Sequence, residues 1–599
     1  MLYVGVSWAD HNDGYVIVSS NETLAGKRIC YEMCANDAQC DALDAGRCVM
    51  LDNVGGVCMH LRASEMPPTD RTLCAYEDNL CDAGQLCGRL PGPTLVDDFI
   101  AHKESRGFDV HLITEDAWGG GNNAIEKTDN LRAWLVENYQ TLNLKYVLII
   151  GDPRQDGDVP MRFTKPGMHA EQAWANPMDD VPTDFYFAEL TGNWDLDGDG
   201  YLAELAPYNA DDVEASGDFG TGGMERDAEL AVGRIPYYGV PVDLDHILQK
   251  TMDFENAPSD EIEWRKSALL AAEGANRIFF GEQIRDRILE PNGASSYRVY
   301  DAHLCEDFGG AVENCPDIDG TPDALHCSVP NVGAGIESFS PGLVLWLTHG
   351  GGQGAAAVMN GPTADGLPDD KPFFTFQASC LNSMPSSPTN ISYRLLKNGA
   401  IATIGATVIS HGPGSEVDLR NDAGNAGMAY AYAERLIGEG MAAGDALNDL
   451  RRDIGVRNRW WYWRNYLNFN LWGDPSVGIY SYRMEQQEPV LGDDMGIVDV
   501  ADADLSDEPL DMDVVDDLDA VVSDDAETSD AGLGGELPEA DAQGVLADMG
   551  GNQVDMSTDD RASESGCYVS RSDGQAPGWG LTLCFVGFFG FRRRARASL

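Results

Sequence analysis

The chain of 599 residues predicts an α/β protein in which parallel sheets are covered by helices, and three observations carry that prediction. Short β-branched runs such as YVIVS at 15–19 and YVLII at 146–150 alternate with stretches of helical period. The series then starts again beyond residue 259, so two α/β units side by side are expected. Hydrophobic residues make up 43% and aromatics 9%, which suffices for a core, and the length exceeds the ~100–200 residues of one domain.

Taken in order, strand 15–19 opens the first unit, and the helical pattern of 95–106 leads to a strand at 110–113. Helix 130–139 precedes the strand at 146–150, which Gly151-Asp152-Pro153 closes. Strand 229–233 and a helix over 242–255 complete this unit, residues 1–29 and 88–258. Strands at 268–272, 343–348, 373–379 and 400–404 build the second, residues 259–483. Between the first strand and the first long helix stand eight of the 14 cysteines, Cys30, Cys34, Cys40, Cys48, Cys58, Cys74, Cys81 and Cys87. An even number in a loop-rich stretch without zinc-site spacings reads as a disulfide-rich insertion, residues 30–87, which persists only in an oxidising compartment. Cys305, Cys315 and Cys327 share a Pro/Asp/Gly-rich loop that predicts one further bridge with one thiol over.

Charge and targeting point the same way. Asp plus Glu number 99 against 40 Lys plus Arg, a net charge of −59, which excludes a nucleic-acid partner held by phosphate neutralisation. Residues 484–565 are acidic and poor in aromatics, the composition of a solvated, self-repelling stalk. Met1 opens onto LYVGVSWAD without a charged region, an apolar run or a cleavage site, so an export address is expected upstream of this start. At the other end the apolar run 579–591 is shorter than the ~20 residues of a stable span and is followed by Arg592, Arg593, Arg594 and Arg596. With Gly566-Cys567 before it, this tail of residues 566–599 resembles the MYXO-CTERM sorting tails of bacterial surface proteins. The resemblance implies processing, modification at Cys567 and an extracellular, surface-held protein that meets the membrane only through its tail. A plain C-terminal anchor is the other reading of the same residues.

The chemistry candidates stand at two strand ends. LVLWLT runs into His349-Gly350-Gly351-Gly352, and FFTFQAS runs into Cys380. In an open parallel sheet the carboxyl ends of strands form the ligand crevice, so an imidazole and a thiol delivered there can meet. Cysteine attack on a carbonyl needs a thiolate, an imidazole to relay the proton, and N–H donors for the oxyanion. Glycine after the histidine lets backbone approach closely. His-Gly-Gly-Gly also suggests an esterase oxyanion loop, but the chain has no Gly-x-Ser-x-Gly elbow. Gly350-x-Gly352-x-x-Ala355 with Asp369 or Asp370 downstream is a degenerate dinucleotide fingerprint, and Asn360-Gly361-Pro362 and Leu367-Pro368 break the helix it needs. Spacing alone leaves a buried free cysteine and a loop histidine with no shared task as an equal reading.

A strand ending in His-Gly and another ending in Ala-x-Cys resemble the two active-site blocks of the caspase-like cysteine peptidase clan. Within it, WRKSALLAAEG at 264–274, the block ending in Cys380, GAIATIGA at 399–406 and LWGDPS at 471–476 are similar, in that order, to the gingipain family. AVGRIP at 231–236 fits its GRIP-like block. The resemblance covers residues 14–482 apart from the cysteine insertion and the 305–327 loop. It implies a caspase-like, Rossmann-like α/β fold in two side-by-side subdomains and a cysteine endopeptidase acting on protein or peptide substrates. Cys380 would be the nucleophile, His349 the general acid/base, and the Gly350 and Cys380 amides the oxyanion hole. Glu273 would be the acidic partner near the histidine; on the residues alone it is an N-cap or loop carboxylate. The chain departs from the family in reading Gly-Gly-Gln-Gly-Ala where a Ser and a downstream Trp are usual, and in lacking a counterpart of the acidic specificity residue. A surface adhesion protein that kept the fold and lost the activity is the competing function.

Asp195, Asp197 and Asp199 at alternate positions, followed by Gly200, have the spacing of a calcium loop. Position 12 of a full site would be Ala206, so Glu204 or an acid from 211–214 must close the shell. A structural Ca²⁺ is therefore expected, and no organic cofactor.

Overall fold

In the computed structural model both series of strands lie in one continuous ten-stranded sheet. The structure describes residues 13–24, 93–166, 180–204, 218, 221–308, 318–412, 418–453 and 462–481, with the backbone alone of 25, 28–34, 47–51, 55–59, 85–89, 460 and 461. The acidic stretch, Cys567 and the tail, Cys315 and residues 211–214 lie outside the described residues. No helix among the described residues is long and apolar enough to cross a membrane.

The strands are β1 (Gly14–Val18), β2 (Asp109–Ile113), β3 (Leu144–Gly151), β4 (Ala231–Pro236), β5 (Ala268–Ala272), β6 (Ser296–Tyr300), β7 (Leu343–Leu347), β8 (Phe373–Ala378), β9 (Ala400–Ala406) and β10 (Phe469–Trp472). Across the sheet they run β6-β5-β7-β8-β9-β10-β4-β3-β1-β2. Every residue of β4, β5, β7, β8 and β9 is buried, as continuous apolar runs covered by helices on both faces should be. The outermost strands β6 and β2 are only partly buried.

Numbered within itself, the half β6-β5-β7-β8-β9 has the doubly wound order 2-1-3-4-5, and β2-β1-β3-β4 repeats 2-1-3-4 from the other side. Pairing inside each half is parallel. The joint is β10, antiparallel to β9 with Ile404 opposite Leu471, and parallel to β4 with Arg234 opposite Trp472. The two halves therefore point their strand carboxyl ends to opposite edges. Neither β6 nor β10 was among the expected strands: SYRVY carries an Arg at its centre, and FNLW is four residues inside an Asn-rich segment.

Helices α1 (Val96–Ser105), α2 (Ala124–Asn138) and α3 (Pro241–Glu255) cover the first half. α2 starts at Ala124 rather than 130 because Asn123 caps it, its side chain accepting the Glu126 amide at 3.0 Å while the Glu126 carboxylate takes the Asn122 amide at 2.8 Å. In the cysteine-rich insertion the backbone forms a separate four-stranded sheet, Arg47–Leu51, Gly55–Met59, Arg28–Cys34 and Gln85–Arg89 in spatial order. The expected pairing of its cysteines lies outside the described residues. Cys305 is disulfide-bonded, and Cys327 is a free, buried thiol.

The turn after β10 is locked by buried charge. Asp474 accepts the Tyr15 hydroxyl at 2.9 Å and pairs with Lys103 of α1 at 2.6 Å; Lys103 in turn meets Glu255 of α3 at 2.7 Å. His102 and Arg106 also reach Glu255, at 2.9 and 3.2 Å. Burial alone would raise the Glu255 pKa, but Lys103, His102 and Arg106 outweigh it and hold the carboxyl at about 2. Removing one member of such a network strands a buried charge. Asp474→Ala should lower unfolding stability by about 3–5 kcal/mol, read by urea denaturation, and a loss below about 1 kcal/mol would show that the turn is held by packing instead.

Candidate active site

Chemistry concentrates where the order of the second half reverses, between β5 and β7, the place where an open α/β sheet leaves a crevice. Glu273 follows β5, His349 follows β7 by two residues, and Cys380 follows β8, the next parallel neighbour. Their register, Leu347 opposite Ala378, carries the two chains onward side by side.

What brings those chains together is the absence of a side chain. A Cβ on Gly350 would stand 2.3 Å from the Cys380 carbonyl oxygen and 2.8 Å from its amide nitrogen. Only glycine permits backbones that close. Asn382 then straps the two loops, donating to the carbonyls of Gly351 and Gly354 at 2.9 and 3.0 Å. Its side-chain oxygen takes the Ser379 hydroxyl, and Ser379 accepts Trp346 Nε1–H at 3.0 Å. Leu381, directly after the cysteine, has φ +62°, a conformation that costs a non-glycine residue free energy and turns the chain sharply.

Cys380 is 4% exposed, and its thiol reaches the Ser410 carbonyl at 3.5 Å. The segment that supplies Ser410 is pinned from below. Asn465 exchanges two hydrogen bonds with the His411 backbone at 2.7 and 2.8 Å, and Asn468 donates to the Ile409 carbonyl at 2.9 Å. Burial and Arg464 push the His411 imidazole down to about 3.

His349 has a different neighbour from the one expected. Arg277 Nη2 lies 2.7 Å from its Nε2, and the other guanidinium nitrogen reaches the Glu273 carboxylate at 3.2 Å and the Glu273 carbonyl at 3.0 Å. Glu273 also accepts the Thr348 hydroxyl at 2.6 Å. Arg277 thus stands between the carboxylate and the ring. Burial lowers the His349 pKa below its ordinary value, Arg277 lowers it further, and Glu273 works the other way. By contrast the thiol of Cys327 is raised by burial and by Asp301 and Glu273. Arg277, Asn382 and Ser410 were not singled out from sequence. Arg277, four residues after Glu273, offered the one available signal, the spacing of a local ion pair.

Asp195, Asp197, Asp199 and Glu204 lie in one loop with Gly198 and Gly200 at φ +79° and +87°. Asp218, which sequence did not suggest, joins them, accepting the Leu196 and Glu204 amides at 2.6 and 2.9 Å. Oxygens of Asp195, Asp197 and Asp218 lie within 4.8 Å of one another, as do those of Asp197, Asp199 and Glu204. Burial raises the Asp218 pKa to about 6, the two amide donors oppose that, and Asp197 and Asp195 add to it. All donors are hard carboxylate oxygens, the set that suits Ca²⁺ and not a soft metal.

The family model described as peptidase family C25 matches residues 94–480. No curated protein sequence matches the chain. Among solved structures, the Arg-specific cysteine proteinase gingipain R aligns at 13% identity with a TM-score of 0.46, over 80% of this chain and 80% of that one. The complex of the Porphyromonas gingivalis RgpB pro- and mature domains aligns at 15% identity and a TM-score of 0.44, over 64% and 76%.

The steric account of Gly350 makes a paired prediction. Gly350→Ala should cost about 1–3 kcal/mol through overpacking against the Cys380 peptide, whereas Gly351→Ala, whose Cβ would meet nothing within 4 Å, should stay within about 0.5 kcal/mol of the parent. Equal unfolding midpoints for the two variants would contradict it.

Proposed function

The chain belongs to peptidase family C25, a family of cysteine peptidases, and from that membership we propose that it is an endopeptidase that cleaves proteins through Cys380 and His349. The observation that carries the reading is the close approach of Gly350, next to His349, to the Cys380 backbone beyond neighbouring strand ends. In this reading the Cys380 thiolate adds to the scissile carbonyl carbon, and the π pair moves onto oxygen. The Gly350 and Cys380 N–H groups would hold that oxyanion, each donor contributing about 10²–10³ in rate. Collapse breaks the C–N bond as His349 passes a proton to the leaving amine, leaving a thioester on Cys380. Water, deprotonated by His349, then adds to the thioester, and the carboxylate product departs as the thiolate is restored. His411 is too weak a base, held at about 3, to replace His349 in these steps.

A binding protein that has kept the fold without the activity draws on one observation, the Arg277 guanidinium against the His349 ring. Kinetics separate the two. Cys380→Ala should fold like the parent and lose peptide hydrolysis by about 10⁴-fold or more; a parent that turns over no better than Cys380→Ala on a mixed peptide library would leave the binding reading standing.

The reading extends to an extracellular protein held at the cell surface through the tail beyond residue 565. A disulfide at Cys305 supports an oxidising compartment. Asp195, Asp197, Asp199, Glu204 and Asp218 would hold a structural Ca²⁺, which when bound neutralises carboxylates that otherwise repel. Because such an ion binds the folded loop, chelation should lower the thermal midpoint by several degrees, roughly the effect of 1–2 kcal/mol. Asp197→Ala should reproduce the loss and abolish its dependence on calcium; an unchanged midpoint under chelation would count against the site.

A further inference from the structure

We infer that Arg277 is a positioning residue that latches His349 in the tautomer unable to accept the Cys380 proton, an inference that rests on His349 and Cys380 being the reacting pair. A guanidinium has five N–H donors, no acceptor, and does not deprotonate in proteins. At 2.7 Å from Arg277, His349 Nε2 must therefore present its lone pair. In a neutral ring the proton is then on Nδ1. With Nε2 held by Arg277, exchange with the thiol would have to run through Nδ1, and a ring already protonated there cannot take the proton from sulfur.

The groups that bear on His349 come from the strand ends on either side of β7. Arg277 and Glu273 follow β5, and Cys380 follows β8. Glu273 is the natural acceptor for an Nε2–H, and a proton on Nε2 would release the Nδ1 lone pair for the thiol. In the structure that carboxylate is spent on Arg277 and on the Thr348 hydroxyl instead. The lowered pKa of His349, from burial first and Arg277 second, runs in the same direction. Both side chains of the ion pair are partly open to solvent, 22% for Arg277 and 29% for Glu273, so the guanidinium can leave without unpacking the core. Once it leaves, Glu273 takes the Nε2–H and the pair becomes a thiol beside a competent base. The proton moves from sulfur to Nδ1, and no other reactant is needed.

The test removes the latch and reads the ring directly. Long-range ¹H–¹⁵N spectra of the histidine side chains, assigned with a His349→Gln control and recorded on the Cys380→Ala protein, should show Nδ1–H at neutral pH. With Arg277→Met they should show Nε2–H and a titration shifted upward by roughly one pH unit. In the enzyme with Cys380 intact, Arg277→Met should hydrolyse peptides roughly 10–100-fold faster than the parent, and adding Glu273→Gln should cancel that gain. Arg277→Ala serves if the Met variant does not fold. An Nε2–H tautomer in the Arg277 parent, or a folded Arg277 variant with unchanged ring chemistry or slower turnover, overturns the inference. If no variant cleaves peptides, the peptidase reading fails and the tautomer measurement alone decides the role of Arg277.

Discussion

A missing side chain at Gly350 is the constraint on which the site depends. β7 and β8 are parallel neighbours, and residues carried two beyond their ends normally splay apart as each strand gives way to its loop. Here the His349 loop stays against the Cys380 peptide because a hydrogen atom occupies the place where any Cβ would sit 2.3 Å from the Cys380 carbonyl oxygen. The neighbouring polar groups act on that contact. Asn382 ties Gly351 and Gly354 to the cysteine turn, Trp346 and Ser379 orient Asn382, and Leu381 accepts a left-handed backbone to complete the bend. The strand ends that carry His349 and Cys380 are thereby held against each other.

At the other edge of the sheet the loops are held mainly by polar groups. The first half repeats the 2-1-3-4 order, and its reversal point lies between β1 and β3. There Ser20 and Thr23 donate their hydroxyls to the Asp158 carboxylate, which also takes the Asp152 amide, so the polar groups satisfy one another. The halves share an architecture and differ in the loops that leave their strands. β10 lets them coexist: being antiparallel to β9 and parallel to β4, it reverses the sheet's direction at its middle and closes what would otherwise be two exposed edges. The LWGDPS segment that contains its end is accordingly structural, with Asp474 held in the buried network of Tyr15, Lys103 and Glu255.

Much of this was legible in the sequence, for a physical reason. Strands buried on both faces must be continuous apolar runs, so β3, β5, β7, β8 and β9 announced themselves, and His349 and Cys380 were found by reading what each run delivers at its end. Strand β6 escaped because its outer position tolerates Arg298, and β10 because four residues between asparagines have no period to read. Polar partners fixed by tertiary contact were the harder class. Asp218 comes to the acidic loop from fourteen residues beyond Glu204, and Asn465 reaches the cysteine's covering segment from a helix 54 residues away. The acidic partner expected for His349 is where the sequence put it, after β5, but Arg277 lies in between, and only the three-dimensional direction of a guanidinium reveals that.

The central claim is that Cys380 is the nucleophile of a peptidase. Among the described residues two cysteines, Cys327 and Cys380, stand outside disulfides, and burial together with Asp301 and Glu273 holds Cys327 in its unreactive protonated form. The two thiols therefore form an internal comparison. Treating the intact protein with a peptidyl acyloxymethyl ketone and locating the adduct by peptide mass spectrometry should find one adduct, on Cys380, with Cys327 unmodified. An adduct on Cys327, or a Cys380 that stays unmodified when the reagent has consumed a control cysteine peptidase, would contradict the account.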